Sequence, residues 1–134
     1  MSGCVLDTDV VIAALDRADA HHLAAAKALR VMIDEEIPLR LSLINYAETL
    51  VRPAETQAAL RTAIEAIHAL GIQLSVPTPV IARDAARLRA LNISLADGFA
   101  LATARARGAT VASFDRRVRR AIQSAGMELA PALG

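Results

Sequence analysis

The sequence predicts an α/β domain in which a mostly parallel sheet is covered by helices on both faces, a three-layer α/β/α arrangement. Short apolar runs of strand length alternate along the chain with longer segments of helical periodicity, and strands that are separated by helices form parallel sheets. The length of 134 residues is that of one ordinary domain with its own core. We therefore expect a single domain that spans residues 1–134.

The elements follow from these runs and from the residues that interrupt them. Strands are predicted at 3–6, 39–43, 72–76, 110–112 and 127–130. Helices are predicted at 9–16, 20–36, 44–51, 54–70, 79–91, 95–107 and 116–125. Pro53 ends the third helix, because proline cannot continue it. Gly71, Gly108 and Gly126 each lie between a predicted helix and the next strand, where the end of a helix favours glycine.

Composition indicates the compartment. Hydrophobic residues make up 54% of the chain, but no uncharged run approaches the roughly 20 apolar residues that a membrane helix needs. The first residues are not typical of a signal peptide, and the single cysteine can form no disulfide within the chain. We expect a soluble cytoplasmic protein, with Cys4 as a small buried hydrophobic residue and not a reactive thiol.

Four carboxylates lie where a predicted strand ends or a short helix begins, although they are far apart in the sequence. They are Asp7, Glu48, Asp97 and Asp115. Asp7 is the strongest candidate, because it follows the apolar run Cys4-Val5-Leu6 directly and the carboxyl ends of parallel strands form the binding crevice. A charge so close to a core must be paired or bind a cation. The pattern therefore predicts a metal site that folding assembles.

Helix capping can also account for several of these acids and their neighbours. Asp97 and the preceding Ser94 match a capping box, and Asp115 can equally cap the helix that follows it. Glu48 lies in an otherwise apolar helix, so we expect it to point inward, where a metal would compensate its charge. For Thr8 and Asp9 we favour capping of the first helix, with a hydrogen bond to the site as the alternative.

Charge is distributed unevenly, although the net charge is only +1. Residues 1–60 carry nine acids and five bases, whereas residues 61–134 carry five acids and ten bases. Every base except Lys27 is arginine, whose planar group suits phosphate. We expect four arginines beside Asp115 to attract phosphate: Arg116, Arg117, Arg119 and Arg120. Arg105 and Arg107 fit the end of a helix equally well.

Four sequence blocks in this order resemble the PIN-domain nucleases, and most closely the VapC-type toxins of bacterial toxin–antitoxin pairs. The blocks are residues 5–12, 45–48, 95–104 and 111–117. The resemblance implies a PIN-like fold in which the four catalytic carboxylates, Asp7, Glu48, Asp97 and Asp115, bind Mg²⁺ or Mn²⁺. It also implies that Thr8 and Ser113 support these ligands. Because the family more often has Asn or Ser at position 9, Asp9 is placed with the supporting residues and not with the ligands.

The chemistry of such a site fits RNA hydrolysis. A divalent cation held by a few carboxylates generates hydroxide and stabilises the leaving oxygen of a phosphodiester. With Tyr46, Phe99 and Phe114 as the aromatic residues, base stacking cannot dominate recognition. We therefore expect contacts with the shape and backbone of a structured RNA, such as tRNA or rRNA. The histidines, His21, His22 and His68, are interpreted as ordinary helix residues.

Two protein partners are expected. The resemblance implies a cognate VapB-type antitoxin that blocks the metal site from a groove beside helices 9–16, 20–36 and 44–51. The apolar surplus of the composition predicts exposed patches that become interfaces, so a homodimer is expected as well.

Three further protein classes share some of these features. Asp7-Thr8-Asp9-Val10-Val11 also resembles the first motif of haloacid-dehalogenase-type phosphatases, and acids at the start of a parallel sheet also suggest a phospho-receiver domain. Both families use a lysine late in the chain, whereas the one lysine here is Lys27. The remaining alternative is a non-enzymatic binding module, in which the acids cap helices and metal removal changes nothing but stability.

Overall fold

Four parallel strands form the sheet in the computed structural model, which describes residues 3–134. They are β1 (Cys4–Leu6), β2 (Leu39–Ser42), β3 (Gln73–Ser75) and β4 (Thr110–Ala112). Their order across the sheet is β3-β2-β1-β4. Because the strands are parallel, their carboxyl ends share one edge. Asp7 and Ser113 directly follow β1 and β4 at that edge, and Ser42 is the last residue of β2.

Seven α-helices surround the sheet in the described part of the chain. They are α1 (Thr8–Leu15), α2 (His22–Asp34), α3 (Leu43–Leu50), α4 (Gln57–Ala69), α5 (Pro79–Leu88), α6 (Leu95–Arg107) and α7 (Arg116–Ser124). Short 3₁₀ turns occur at Pro53–Glu55, Arg89–Leu91 and Pro131–Leu133. No helix within residues 3–134 is long and apolar enough to cross a membrane.

The sheet separates two apolar clusters, which confirms the predicted three-layer arrangement. Successive side chains of a strand point to opposite faces, so β1 contributes to both clusters. Cys4 and Leu6 pack in the cluster that contains Met32 of α2. Val5 packs in the cluster that contains Leu101 of α6. Since β1 is buried on both faces, its sequence is a continuous apolar run that stops abruptly at Asp7.

The predicted strand at 127–130 is wrong. Leu129 forms one isolated parallel bridge with Val111. The N–H of Val111 donates to the carbonyl of Glu128 (3.0 Å), and the N–H of Ala130 donates to the carbonyl of Val111 (2.7 Å). Pro131 then begins a 3₁₀ turn. Because the backbone turns here and leaves the extended conformation, the pairing stops after this one bridge.

Polar caps make two helices shorter than their apolar pattern predicted. Residues 16–21 form a turn in which the side chains of Asp16 and Asp19 accept backbone N–H groups, so α2 begins only at His22. Pro53 opens a 3₁₀ turn, and Thr56 then caps α4 by accepting a backbone N–H at 3.1 Å. Local side-chain hydrogen bonds compete with helix formation at these positions.

Helices α5 and α6 pack together closely at Gly98. A Cβ atom placed on Gly98 would lie 2.7 Å from the carbonyl oxygen of Ala85, so a larger residue would force the two backbones apart. This contact holds the first turn of α6 against α5. That turn also carries Asp97.

Candidate active site

Asp7 lies at the centre of the acidic edge of the sheet. Its side chain is 2% exposed. One carboxylate oxygen accepts the hydroxyl of Ser113 at 2.9 Å, and the other accepts the N–H of Thr8 at 3.0 Å. Burial raises the pKa of Asp7 to about 8, and the negative charges of Asp97 and Asp9 contribute to this rise. These acids therefore lie close enough for their charges to interact.

Asp9 joins this group and contacts the loop between β4 and α7. Its Oδ2 accepts the backbone N–H of Phe114 at 3.0 Å, whereas its Oδ1 is buried without a hydrogen-bond partner among the described residues. Burial raises the pKa of Asp9, and the charges of Asp115 and Asp97 act in the same direction. The predicted capping role of Asp9 is wrong as its main role, because Phe114 lies across the site and Asp7 is the N-cap of α1.

Asp97 and Asp115 combine capping with a position at the site. Asp97 forms the predicted capping box with Ser94, in which each side chain accepts the other residue's backbone N–H at 3.2 and 3.1 Å. Oδ1 of Asp115 accepts the N–H groups of Arg117 and Val118 at 2.8 and 3.1 Å. In both acids these bonds use one carboxylate oxygen. The other oxygen makes no hydrogen bond within residues 3–134, so it can face a ligand.

Glu48 is exposed, so the prediction that it points into the core is wrong. Its Oε1 accepts the hydroxyl of Thr8 at 2.6 Å. The predicted capping of α1 by Thr8 is also wrong, because Asp7 is the N-cap of α1 and the Thr8 hydroxyl donates to Glu48 instead. Solvent and the Thr8 hydroxyl therefore stabilise the negative charge of Glu48, and this charge does not require a salt bridge.

Asn45 is a site residue that the sequence analysis missed. Its side chain is completely buried, and its amide nitrogen donates to the hydroxyl of Thr8 at 3.0 Å and to the carbonyl of Ala96 at 3.2 Å. Because Thr8 Oγ1 accepts from Asn45, its own proton is directed to Glu48. One amide thus links α1, α3 and the start of α6. The available signal was a polar residue three positions before Glu48, on the same helix face.

The four predicted RNA-binding arginines differ in their surroundings. Arg119 is half-buried, and its Nε donates to the carbonyl of Ser113 at 2.8 Å, so it stabilises the end of β4. Arg116, Arg117 and Arg120 are exposed on α7. Arg105 pairs with Asp84 at 3.1 Å. The exposed arginines of α7 are therefore the ones available for phosphate.

Within the described residues, the remaining candidate nucleophiles and bases form no hydrogen bond with the acids of the site. Cys4 is fully buried, as predicted, and burial raises its pKa to about 11. His22 lies in α2 with its Nδ1 2.8 Å from the carbonyl of Ala13, and His68 is exposed near the end of α4. The ring of His21 stacks on Phe114.

Comparison with known proteins identifies the family. The family model that describes the PIN domain matches residues 4–122. This chain belongs to the PIN domain family. Members of this family are typically nucleases that use divalent metal ions. No curated protein matches the sequence significantly.

Solved structures share the fold of this PIN domain. The VapC20 toxin of Mycobacterium tuberculosis, described as cleaving the sarcin–ricin loop, is 17% identical, with a TM-score of 0.71 over 89% of this chain and 95% of that one. FitAcB from Neisseria gonorrhoeae is 22% identical, with a TM-score of 0.65 over 96% and 97% of the two chains. VapBC2 from Rickettsia felis, bound to a promoter DNA fragment, is 15% identical, with a TM-score of 0.69 over 97% and 94%.

The acids of this PIN domain suit a hard divalent cation. Carboxylate oxygens are the donors that Mg²⁺ and Mn²⁺ prefer, and the buried Oδ1 of Asp9 has no other partner among the described residues. Within residues 3–134, no three His, Cys, Asp or Glu side chains are grouped so that together they could hold a metal ion. A site of this kind could supply Mg²⁺ with only one or two carboxylates, which is what this ion often takes from a protein before water and phosphate oxygens complete its coordination. The candidates for these one or two protein ligands are Asp7, Asp97, Asp115 and Glu48.

The hydrogen-bond chain from Asn45 through Thr8 to Glu48 yields the first prediction. Asn45→Ala should lower the free energy of unfolding by about 1–3 kcal/mol, because the buried bonds from the Asn45 amide to Thr8 and to the Ala96 carbonyl are lost. It should also weaken Mn²⁺ binding about tenfold, because Glu48 is no longer oriented. Calorimetric Mn²⁺ titration and urea unfolding measure the two effects.

Two further variants separate orientation from stability. Thr8→Val breaks the same chain, so the double variant should lose less Mn²⁺ affinity than the sum of the single variants. Thr49→Val removes the bond from Thr49 to the backbone of Asn45 (2.8 Å) and should reduce stability with Mn²⁺ affinity unchanged. If the losses of Mn²⁺ affinity in the Asn45 and Thr8 variants were additive, the hydrogen bonds from Asn45 through Thr8 to Glu48 would not act as a unit.

The raised pKa of Asp7 predicts how stability depends on pH in chelator. The folded protein retains the Asp7 proton up to about pH 8, whereas the unfolded chain releases it near pH 4. Protonation of Asp7 therefore stabilises the folded state fully below about pH 4, and this stabilisation is lost as pH rises to 8. Over that range the free energy of unfolding falls by at most about 1.4 kcal/mol per pH unit. Urea unfolding should show Asp7→Asn gaining stability over the unsubstituted protein from pH 5 to 8. If the free energies of unfolding of the two proteins differed by the same amount at every pH, the raised pKa of Asp7 would be contradicted.

Proposed function

We propose that this PIN domain is a divalent-cation-dependent endoribonuclease and the toxin of a VapC-type toxin–antitoxin pair. One observation carries the proposal. Carboxylates that follow β1 and β4, or that lie in α3 and at the start of α6, gather at one edge of the sheet, and none of them forms a salt bridge within the described residues. A cation is the simplest means of balancing such a cluster.

The chain's own residues supply position and electrostatics for hydrolysis. When bound, a divalent cation supplies hydroxide at neutral pH and stabilises charge on the leaving oxygen of a phosphodiester. Asp7 would be the central ligand, oriented by Ser113. Ser113 also accepts the N–H of Asp115 at 3.2 Å, so it fixes two of the acids relative to each other. Thr8 holds Glu48 on the exposed side of the site.

The substrate class proposed is structured RNA, such as tRNA or rRNA. Arg116, Arg117 and Arg120 are exposed on the helix that Asp115 caps, so their positive charge adjoins the acidic edge. Such a surface binds the phosphate backbone of RNA without reading its bases. The fold shared with a toxin described as cleaving the sarcin–ricin loop is consistent with an rRNA target.

An antitoxin is proposed to bind the groove between α1, α3 and α4. This groove has a volume of about 430 Å³ and an apolar lining that includes Ile12, Leu15 and Ala63; its charged lining residues are Asp16, Glu48 and Arg52. It fits an apolar peptide face that carries a basic side chain toward the acids. Similar folds occur in toxin–antitoxin complexes. The sequence analysis expected a groove beside α1, α2 and α3, whereas the groove proposed here is lined by α1, α3 and α4.

A homodimer is proposed from the apolar side chains that remain exposed on and beside the edge strand β3. Leu74 and Val76 are 44% and 73% exposed, and Val80 at the start of α5 is 64% exposed. An unpaired strand edge with exposed apolar residues favours association. Static light scattering of the purified chain distinguishes a dimer from a monomer, and a monomer at all concentrations would remove this part of the proposal.

The alternative functions have less support. The PIN family match replaces the phosphatase and phospho-receiver interpretations. Lys27, which those families would need near the site, lies in α2. The non-enzymatic module remains as an outcome of the cleavage experiment.

Loss of one carboxylate tests the nuclease directly. Asp97→Asn should reduce cleavage of a mixed tRNA and rRNA pool at least about 100-fold in Mg²⁺ or Mn²⁺, because a metal ligand is lost while an amide oxygen can still accept in the capping box. Fragment analysis on gels measures the rate. Asp34→Asn, an exposed acid at the end of α2, should cleave normally. Chelator should stop both. Intact RNA in every sample, with no metal effect beyond stability, would favour the binding module.

The arginines of α7 should separate into binding and structural residues. Arg117→Gln should weaken RNA binding and reduce the slope of log Kd against log salt by about 0.7 to 0.9, because one phosphate contact is lost. Arg119→Gln should instead lower the melting temperature, since its bond to the Ser113 carbonyl is lost. Filter binding at several salt concentrations and thermal unfolding measure these effects. Equal salt slopes for Arg117→Gln and the unsubstituted protein would exclude this contact.

The groove predicts a variant that escapes its antitoxin. Ile12→Arg should reduce capture of a co-expressed VapB-type protein at least about tenfold, because a charge is introduced into an apolar lining. Leu23→Arg is the matched control, since Leu23 is 82% exposed and outside the groove. Quantitative co-purification measures both. Equal capture by the two variants would place the antitoxin elsewhere.

A further inference from the structure

Two aromatic rings are stacked in the loops beside the acidic edge. The ring centroids of His21 and Phe114 are 4.4 Å apart, and the rings are 9° from parallel. Phe114 lies between Ser113 and Asp115, and its backbone N–H donates to Asp9 at 3.0 Å. Phe114 therefore lies in the same loop as two residues of the site, Ser113 and Asp115.

His21 is held in place although its ring caps no helix. It precedes α2 without a side-chain capping bond. Its backbone N–H donates to a carboxylate oxygen of Asp19 at 2.8 Å, and its Nδ1 lies 3.9 Å from the same oxygen. The side chain is nevertheless 58% exposed. Phe114 covers one face of the ring, and no second aromatic ring of the described residues stacks on the opposite face.

An open ring face next to a phosphodiester site suits a flat aromatic ligand. Stacking requires only a π-face, so any nucleobase can use it. Bases in a duplex are already stacked on their neighbours, so a single platform of this kind takes an unpaired base. Arg116 and Arg117 are exposed two and three residues after Phe114, where they can contact flanking phosphates.

We propose that His21, supported by Phe114, is a stacking platform for one unpaired nucleobase of the RNA, adjacent to the phosphodiester at the acidic edge. This subsite rests on the proposed function for the identity of the ligand. The subsite adds one base contact to an interface that otherwise recognises the shape and the phosphate backbone of the RNA. The chain thus selects RNA that presents an unpaired base beside the cleavage point, which loops and bulges do and regular duplexes do not.

NMR of the histidine rings tests the platform. The chain has three histidines, so their Hε1 resonances can be assigned with His21→Gln and His22→Gln. The Asp97→Asn protein is titrated with an adenine hexaribonucleotide and with a matched hexamer that lacks bases. We expect the adenine oligomer alone to shift His21 upfield, with His68 on α4 unaffected. Equal shifts from both oligomers, or no shift at His21, would overturn the platform.

Affinity measurements give the size of the effect. His21→Ala should raise the Kd of the adenine hexamer about tenfold, which is typical for the loss of one stacked base. His21→Phe should restore the affinity, and neither change should alter the Kd of the base-free hexamer. Leu23→Ala, an exposed neighbour outside the stack, should behave as the unsubstituted protein. Failure of His21→Phe to restore binding would show that stacking is not the contact.

The two proposals can fail separately. If the protein cleaves RNA and His21→Ala leaves the Kd and KM unchanged, the platform is wrong and the nuclease stands. If the protein cleaves no RNA but His21 responds to bases alone, the platform stands and the proposed nuclease is wrong.

Discussion

The architecture of the site depends on a carboxyl group placed where water cannot stabilise its ionised form. Asp7 follows a central strand of the sheet at 2% exposure, surrounded by the charges of Asp9 and Asp97. Helix starts partly offset this cost, because Asp7, Asp97 and Asp115 each lie at the positive N-terminal end of a helix. Convergence of three helix starts makes the acidic edge possible before any cation is bound.

Capping and metal binding are therefore compatible uses of the same carboxylates. A cap requires one oxygen, and the geometry of Asp97 and Asp115 leaves the second oxygen unused by the described residues. The capping bonds also fix each side chain, so little conformational entropy remains to be lost when a ligand binds. The two roles that the sequence left as alternatives for these acids do not compete in the folded chain.

Two buried polar residues connect the segments that carry the acids. Ser113 donates to Asp7 and accepts from the N–H of Asp115, which joins the ends of β1 and β4. Asn45 joins α1, α3 and α6 through Thr8 and the carbonyl of Ala96. Close packing at Gly98 holds the same turn of α6 from the other side. Small displacements at either residue would therefore move several carboxylates at once.

The sequence by itself determined the layers, the four strands and the positions of Asp7, Asp97 and Asp115, because burial periodicity and capping patterns are local. Only the tertiary structure decided the exposure of Glu48, the buried linkage through Asn45, the loss of the last predicted strand at Pro131 and the stacking of His21 on Phe114. These features depend on contacts between residues that are distant in the chain. No local pattern records such contacts, because they exist only when the elements pack.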